Sequence, residues 1–225
     1  MLKKAFTLVE LIVVMTLIVI LSSIGFFSYL QYTEGTRDTS RVHQLQIIGD
    51  GIDLALSKGI KLTPESAIVV NVEGEKYSTQ GLAGKEILGK IKYVSDGLDP
   101  KTKELFTFSL GANNKEYDML TALDNPNNSP KKQLINSFVS DSNGRIPYVY
   151  GKNTVGIFVD SNYVPLNKIL NGTLDIDCDT TNNGYKLIFE NGLILDPITW
   201  QNQFEYGPCY VEDLTSIIPT PPPSP

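Results

Sequence analysis

The sequence predicts an α+β chain: a long N-terminal helix, apolar in its first half and amphipathic in its second, packed on an antiparallel β-sheet head. Three observations carry that prediction. Apolar residues crowd the first thirty positions. Apolar residues then recur at three- and four-residue spacing from Val42 to Leu56. Beyond residue 60, short β-branched and aromatic runs alternate with Gly, Asn, Asp and Pro. A chain of 225 residues suffices for one stalk and one globular domain. Its 41% hydrophobic and 20% charged content is that of a folded protein, not a disordered one.

Residues 1–5, Met-Leu-Lys-Lys-Ala, are a short cationic start, and the apolar run lasts from Phe6 to Phe27. As a helix, those 22 residues span roughly 33 Å, enough to cross a bilayer core, and residues 6–28 are assigned to the membrane-spanning, filament-core segment. Lys3 and Lys4 hold the N-terminus on the cytoplasmic side and put the body of the chain outside. The run is too long for a cleaved secretory signal and has no small-residue cleavage site behind it. Glu10 does not fit a plain anchor, because a carboxylate in lipid costs a few kcal/mol or more unless it is partnered. Thr7 and Thr16 offer it only weak hydrogen bonds. A free α-amino group on a neighbouring helix would neutralise it, which requires cleavage close by and side-by-side packing of identical helices.

Lys3-Lys4-Ala5-Phe6-Thr7-Leu8-Val9-Glu10-Leu11 resembles the class III signal of type IV prepilins and type II secretion pseudopilins. The resemblance covers about thirty contiguous positions; beyond them it is architectural and implies a pilin-like fold. It implies that a dedicated membrane peptidase cuts between Ala5 and Phe6, that the new N-terminal Phe6 is methylated, and that Glu10 guides subunit docking. The family usually has Gly before the cut, where this chain has the similarly small Ala5. The implied partners are further copies of the chain and related pilins, the prepilin peptidase and methylase, the membrane, and the pilus or type II secretion assembly machinery.

Residues 29–59 continue the stalk as an amphipathic helix. Val42, Leu45, Ile48, Ile52 and Ala55/Leu56 form its apolar stripe, and Arg37, Asp38, Arg41, Gln44 and Asp50 are assigned to its polar faces. Gly59 is a fitting stop. From Phe6 to Lys58 the helix would be about 80 Å long. Gly25, Gly35, Gly49 and Gly51 are either points of bending or points of close packing.

The head is assigned to residues 60–214. Its first part is the least legible: Ala67–Val72 reads as a strand, Lys85–Tyr93 as a short helix and Asp99-Pro100 as a turn. Leu105–Leu110 and Glu116–Leu123, on either side of Gly111-Ala112-Asn113-Asn114, predict a β-hairpin with alternating burial. A turn-rich linker occupies 124–132. Strands follow at Tyr148–Tyr150, Thr154–Val159 and Tyr185–Phe189, the last pairing with Leu193–Leu195 across Asn191-Gly192. A final segment runs from Trp200 to Val211, and residues 215–225 form a Pro-rich tail expected to be extended and disordered.

Cys178 and Cys209, behind a membrane-targeting segment, are read as a disulfide closing a 32-residue loop, worth roughly 3–4 kcal/mol on the chain-entropy model. Reactive or metal-binding thiols are the alternative, set against the lack of any Cys-x-x-Cys and the presence of a single histidine. The net charge of −6 falls to −8 when Lys3 and Lys4 leave with the leader, which argues against general nucleic-acid binding.

Signs of catalysis are scarce, and the chain is not expected to be an enzyme. His43 sits among polar residues of the stalk, where a solvated side chain is the plain reading. Gly84 to Lys90 imitates a phosphate-binding loop, but Ile91 stands where Ser or Thr is needed. Asp175, Asp177 and Asp179, with the Asn residues that follow, offer oxygen ligands of the kind calcium takes. They lack the Gly and distal Glu of an EF-hand loop, so a solvated acidic turn is the competing reading. Some pseudopilins bind calcium in a C-terminal loop. The function expected from the resemblance is a structural subunit of a type IV pilus-like filament. The alternatives are a pseudopilin of type II secretion and a low-abundance tip subunit with an adhesive head.

Overall fold

The computed structural model describes residues 7–125, 145–152, 155–177, 185–189 and 194–195. Helix α1 runs unbroken over Leu8–Ser57, about 75 Å. Every side chain from Thr7 to Tyr32 on it is exposed. Burial starts at Asp38 and continues through Arg41, Val42, Leu45, Ile48, Gly49, Ile52 and Ala55. The predicted stripe is therefore the stripe that packs, extended by two charged residues. The chain leaves the helix through Gly59 at φ +70, a left-handed stop natural to glycine.

The head follows in the order β1 (Glu65–Val72), β2 (Glu75–Leu82), α2 (Lys85–Lys90), β3 (Thr107–Gly111), β4 (Tyr117–Leu123), β5 (Ile146–Lys152), β6 (Ile157–Val159), β7 (Gly172–Ile176), β8 (Lys186–Ile188) and β9 (Ile194–Leu195). Six strands form one sheet in the order β5-β4-β3-β2-β1-β7, and β6-β8-β9 form a second, smaller one. The predicted hairpins are present: β3 pairs with β4, and Leu187 and Ile188 pair with Leu195 and Ile194.

The large sheet is not wholly antiparallel. β7 lies parallel to β1, from Ile68↔Gly172 to Val72↔Ile176. This turns the predicted acidic turn partly into an edge strand, with Asp175 opposite Asn71 and accepting its side-chain amide at 2.8 Å.

Two cores explain why burial in β3 does not alternate. On one face, Phe108, Leu110, Tyr117, Met119 and Tyr148 pack against the α1 stripe, closed by Ile87 and Leu88 of α2. On the other, Ile68, Val70, Val72 and Ile176 meet Phe158, Leu187 and Phe189, while Leu120 and Val149 meet Ile157, Val159 and Ile188. The sheet is sandwiched, so all five β3 residues are buried. Gln80, fully buried on the second face, pairs both ends of its amide with the backbone of Phe158, at 2.9 and 2.8 Å. That bidentate contact satisfies a polar group that would otherwise be costly between two apolar cores.

Candidate assembly site and the clasp behind it

The site begins where α1 begins. Thr7 is the N-cap, and Glu10 stands three residues into the first turn. The Thr7 backbone N–H and hydroxyl both donate to Glu10 Oε2 at 2.8 Å, and the Glu10 N–H returns a bond to Thr7 Oγ1 at 3.3 Å. This is a capping box, which satisfies otherwise orphaned donors of the helix start. The weak role expected of Thr7 is thereby corrected: it is the direct partner of Glu10. Both bonds to the carboxylate use Oε2, leaving Oε1 outside the box. The negative charge also sits at the positive end of the helix dipole.

Behind Glu10, α1 is long and apolar enough to span a membrane, and that stretch is entirely unburied by the rest of the chain. Its hydroxyl groups turn back on the helix: Thr16 Oγ1 donates to the Ile12 and Val13 carbonyls, and Ser23 Oγ to Val19. Side chains so satisfied do not oppose an apolar environment. A Cβ on Gly25 would meet nothing within 4 Å, whereas one on Gly49 would come within 2.4 Å of the Tyr150 ring and one on Gly51 within 3.0 Å of Ile91. The last two glycines are packing positions, with Tyr117 Oη donating to the Gly49 carbonyl at 2.9 Å.

Where the helix enters the head, a buried ion cluster replaces the apolar stripe. Arg41 is fully buried; its Nε donates to Asp99 Oδ2 at 2.6 Å, Nη2 to Asp99 Oδ1 at 3.2 Å, and Nη1 to Asp38 Oδ1 at 2.6 Å. Asp124 Oδ2 lies 3.1 Å from Nη1, an ion-pair contact without hydrogen-bond alignment, and Asp124 Oδ1 takes a bond from Lys101 at 2.9 Å. Asp38 also caps the backbone N–H groups of Asp124 and Asn125, both at 2.9 Å.

Burial works against the charge on Arg41, Asp99 and Asp124, but their partners win. The Asp99 carboxyl is held below the usual range by Arg41 and by the N–H groups of Thr102 and Lys101. Asp124 is held down by Lys101 and Arg41, and Arg41 itself is pushed further up by the carboxylates around it. Asp38 and Arg41, expected on the polar faces of α1, instead continue the buried seam through 45, 48, 52 and 55 toward the apolar half of the helix. The spacing held that signal, but the residue types concealed it.

The remaining predicted sites divide clearly. His43 is exposed on α1. The imitation phosphate loop is filled by the protein itself: Glu65 Oε1 accepts the Lys85 N–H at 2.6 Å, in the space a Cβ on Gly84 would need. Asp175 and Asp177 share the exposed face of β7 and its extension, and Asp179 lies outside the described residues. Also outside them are the Ala5–Phe6 junction, Cys178, Cys209, most of the 124–132 linker, the Asn191-Gly192 turn, the Trp200–Val211 segment and the Pro-rich tail. Among the described residues, no group of three or more His, Cys, Asp or Glu side chains is arranged to hold a metal ion.

A family model described as the prokaryotic N-terminal methylation motif matches residues 1–26. No curated protein and no solved structure matches the chain. The matched segment contains the cationic start, the Ala5–Phe6 junction, the Thr7–Glu10 box and most of the apolar run. On a pilin-like α+β body, the chain carries the class III prepilin signal of type IV pilins and pseudopilins.

Proposed function

We propose that this chain is a structural subunit of a type IV pilus-like filament, stored in the cytoplasmic membrane as a precursor and polymerised through α1 after cleavage between Ala5 and Phe6. The observation that carries the reading is Glu10, a carboxylate at the head of an unburied apolar helix and inside the matched methylation motif. In lipid this charge is costly without a counter-charge. Cleavage creates one, the Phe6 α-amino group. On its own helix that amine lies at the positive end of the dipole, where a cation is disfavoured. Docking beside Glu10 of an adjacent subunit relieves both groups, with Oε1 available while Oε2 stays in the capping box. Apolar burial between the 8–30 segments then supplies the bulk of the association.

The head forms the filament surface. The Arg41 cluster fixes it at the level where α1 emerges, so that a force on the head is transmitted to the helix rather than to a loop.

N-terminal mass spectrometry of sheared extracellular filaments tests this. The expected result is a methylated Phe6 terminus on a dominant component. A minor component would indicate a tip subunit, and a short periplasmic assembly would indicate a pseudopilus. A chain recovered only from membranes, with residues 1–5 still attached, would refute the proposal.

A further inference from the structure

We propose that the seam between the two sheets is a binding site for a small cluster of ordered water, held inside the head as a structural ligand. The second face of the large sheet carries two apolar clusters, one over β1 and β7 and one over β4 and β5. Between them, on β2 and β3, the inward positions are polar. Ser78 and Gln80 stand opposite Val70 and Ile68 of β1, and Ser109 stands opposite Gln80 on β3, so all three share the face that meets the second sheet. Asn167, in the 3-10 turn Leu166–Lys168, joins them by accepting from Gln80 Nε2 at 3.2 Å. Ser78, Gln80 and Ser109 are 0% exposed and Asn167 is 6% exposed, so none of them reaches bulk solvent.

Gln80 is satisfied, and its orientation is fixed by the Phe158 backbone, which donates to Oε1 and accepts from Nε2. The Asn167 atom facing Nε2 is therefore the acceptor oxygen, and the amide nitrogen is turned away from it. That nitrogen, Ser78 Oγ and Ser109 Oγ have no hydrogen-bond partner among the described residues. Buried polar groups left so would each cost a desolvation penalty, and native interiors satisfy nearly all of them. Their spacing suits solvent. Side chains opposite or diagonal across an antiparallel pair have Cβ atoms about 5–8 Å apart, and one water joins polar atoms about 5–6 Å apart. Their chemistry selects it. The Asn167 nitrogen only donates, which opposes a cation. Buried Asp118, opposite Ser109 and accepting the Gly156 N–H at 2.6 Å, opposes an anion. What remains is a small neutral ligand that both donates and accepts, and in a close-packed interior that ligand is water.

A crystal structure of the full chain, grown from detergent at a resolution that shows ordered solvent, tests the site. The expected result is a solvent peak within about 3.2 Å of Ser109 Oγ and of a second member, Ser78 Oγ or the Asn167 amide nitrogen. A seam without such a peak, or a peak with the coordination of an ion, would overturn the proposal. Thermal unfolding of Ser109→Ala gives an independent readout through its sign. If the hydroxyl holds water, deleting it strips that water of a partner and the melting temperature should fall. If the hydroxyl has no partner at all, deleting it removes a buried burden, and an unchanged or raised melting temperature would contradict the proposal. Ser78→Ala should act in the same direction. The double variant should lose less than the sum of the two single losses, because both release the same cluster, and full additivity would refute a shared site.

Discussion

Replacing Arg41 with Ala should be the most damaging single change in the stalk–head junction. The substitution removes the cation that faces Asp38, Asp99 and Asp124 at 2.6, 2.6 and 3.1 Å. Asp124 keeps Lys101 as a partner, but Asp38 and Asp99 lose the Arg41 counter-charge and keep backbone N–H donors, in surroundings where their side chains are 0% and 9% exposed. Breaking a buried ion pair by deleting one partner costs about 3–5 kcal/mol, because the remaining charge is left uncompensated. For a head of this size, each kcal/mol lowers the melting temperature by about 2–4 °C, so the expected loss is on the order of 10 °C. Thermal unfolding of the full chain in detergent, followed by near-ultraviolet circular dichroism, reads the loss of fixed packing around the head's buried aromatic residues Phe108, Tyr117 and Tyr148. Arg41→Lys should fall between the two, since an ammonium cannot reproduce the guanidinium fork onto Asp99. A loss below about 1 kcal/mol in Arg41→Ala would refute the idea that the cluster holds the head to the helix.

Three further outcomes follow from the same geometry. Asp99 and Asp124 are held below their ordinary values, so their contribution to stability is complete above about pH 4–5 and is lost as pH falls through the depressed values; a pH series of melting temperatures should decline on the acid side and do so less in Arg41→Ala. Gly49→Ala should destabilise the head by about 1–3 kcal/mol, since its Cβ would enter the Tyr150 ring, while Gly25→Ala, with nothing within 4 Å, should leave the melting temperature unchanged. The cysteines should be joined in protein from the extracytoplasmic compartment: intact mass before and after reduction should differ by two hydrogens, and reduction should cost roughly 3–4 kcal/mol of stability.

How much of this was legible in the sequence depended on whether the determinant was local. The α1 stripe and the β3–β4 hairpin announce themselves through spacing and turn residues, and both stand where the pattern put them. β2 did not, because Glu75–Leu82 is mostly polar; Ser78 and Gln80 are buried by a second sheet whose presence no local pattern reveals. β7 was missed for a related reason, being defined by parallel pairing with a strand far away in sequence. Asp38 and Arg41 misled because charges on a helix ordinarily face water, and their partners Asp99 and Asp124 arrive from distant turns. At the functional end the sequence was sufficient to single out Glu10, but not to show that Thr7 holds it.

That pairing makes a sharper test of the central claim possible. Glutamine serves a capping box as glutamate does, so Glu10→Gln preserves the helix start and removes only the charge. The decisive measurement is the yield of sheared filaments from cells expressing Glu10→Gln, normalised to the membrane-inserted subunit. If Glu10 docks the Phe6 amine of a neighbour, the yield should fall at least tenfold with insertion unchanged, matching Glu10→Val. Filaments at the parental level from Glu10→Gln would show that Glu10 acts only as a helix cap and would contradict the account.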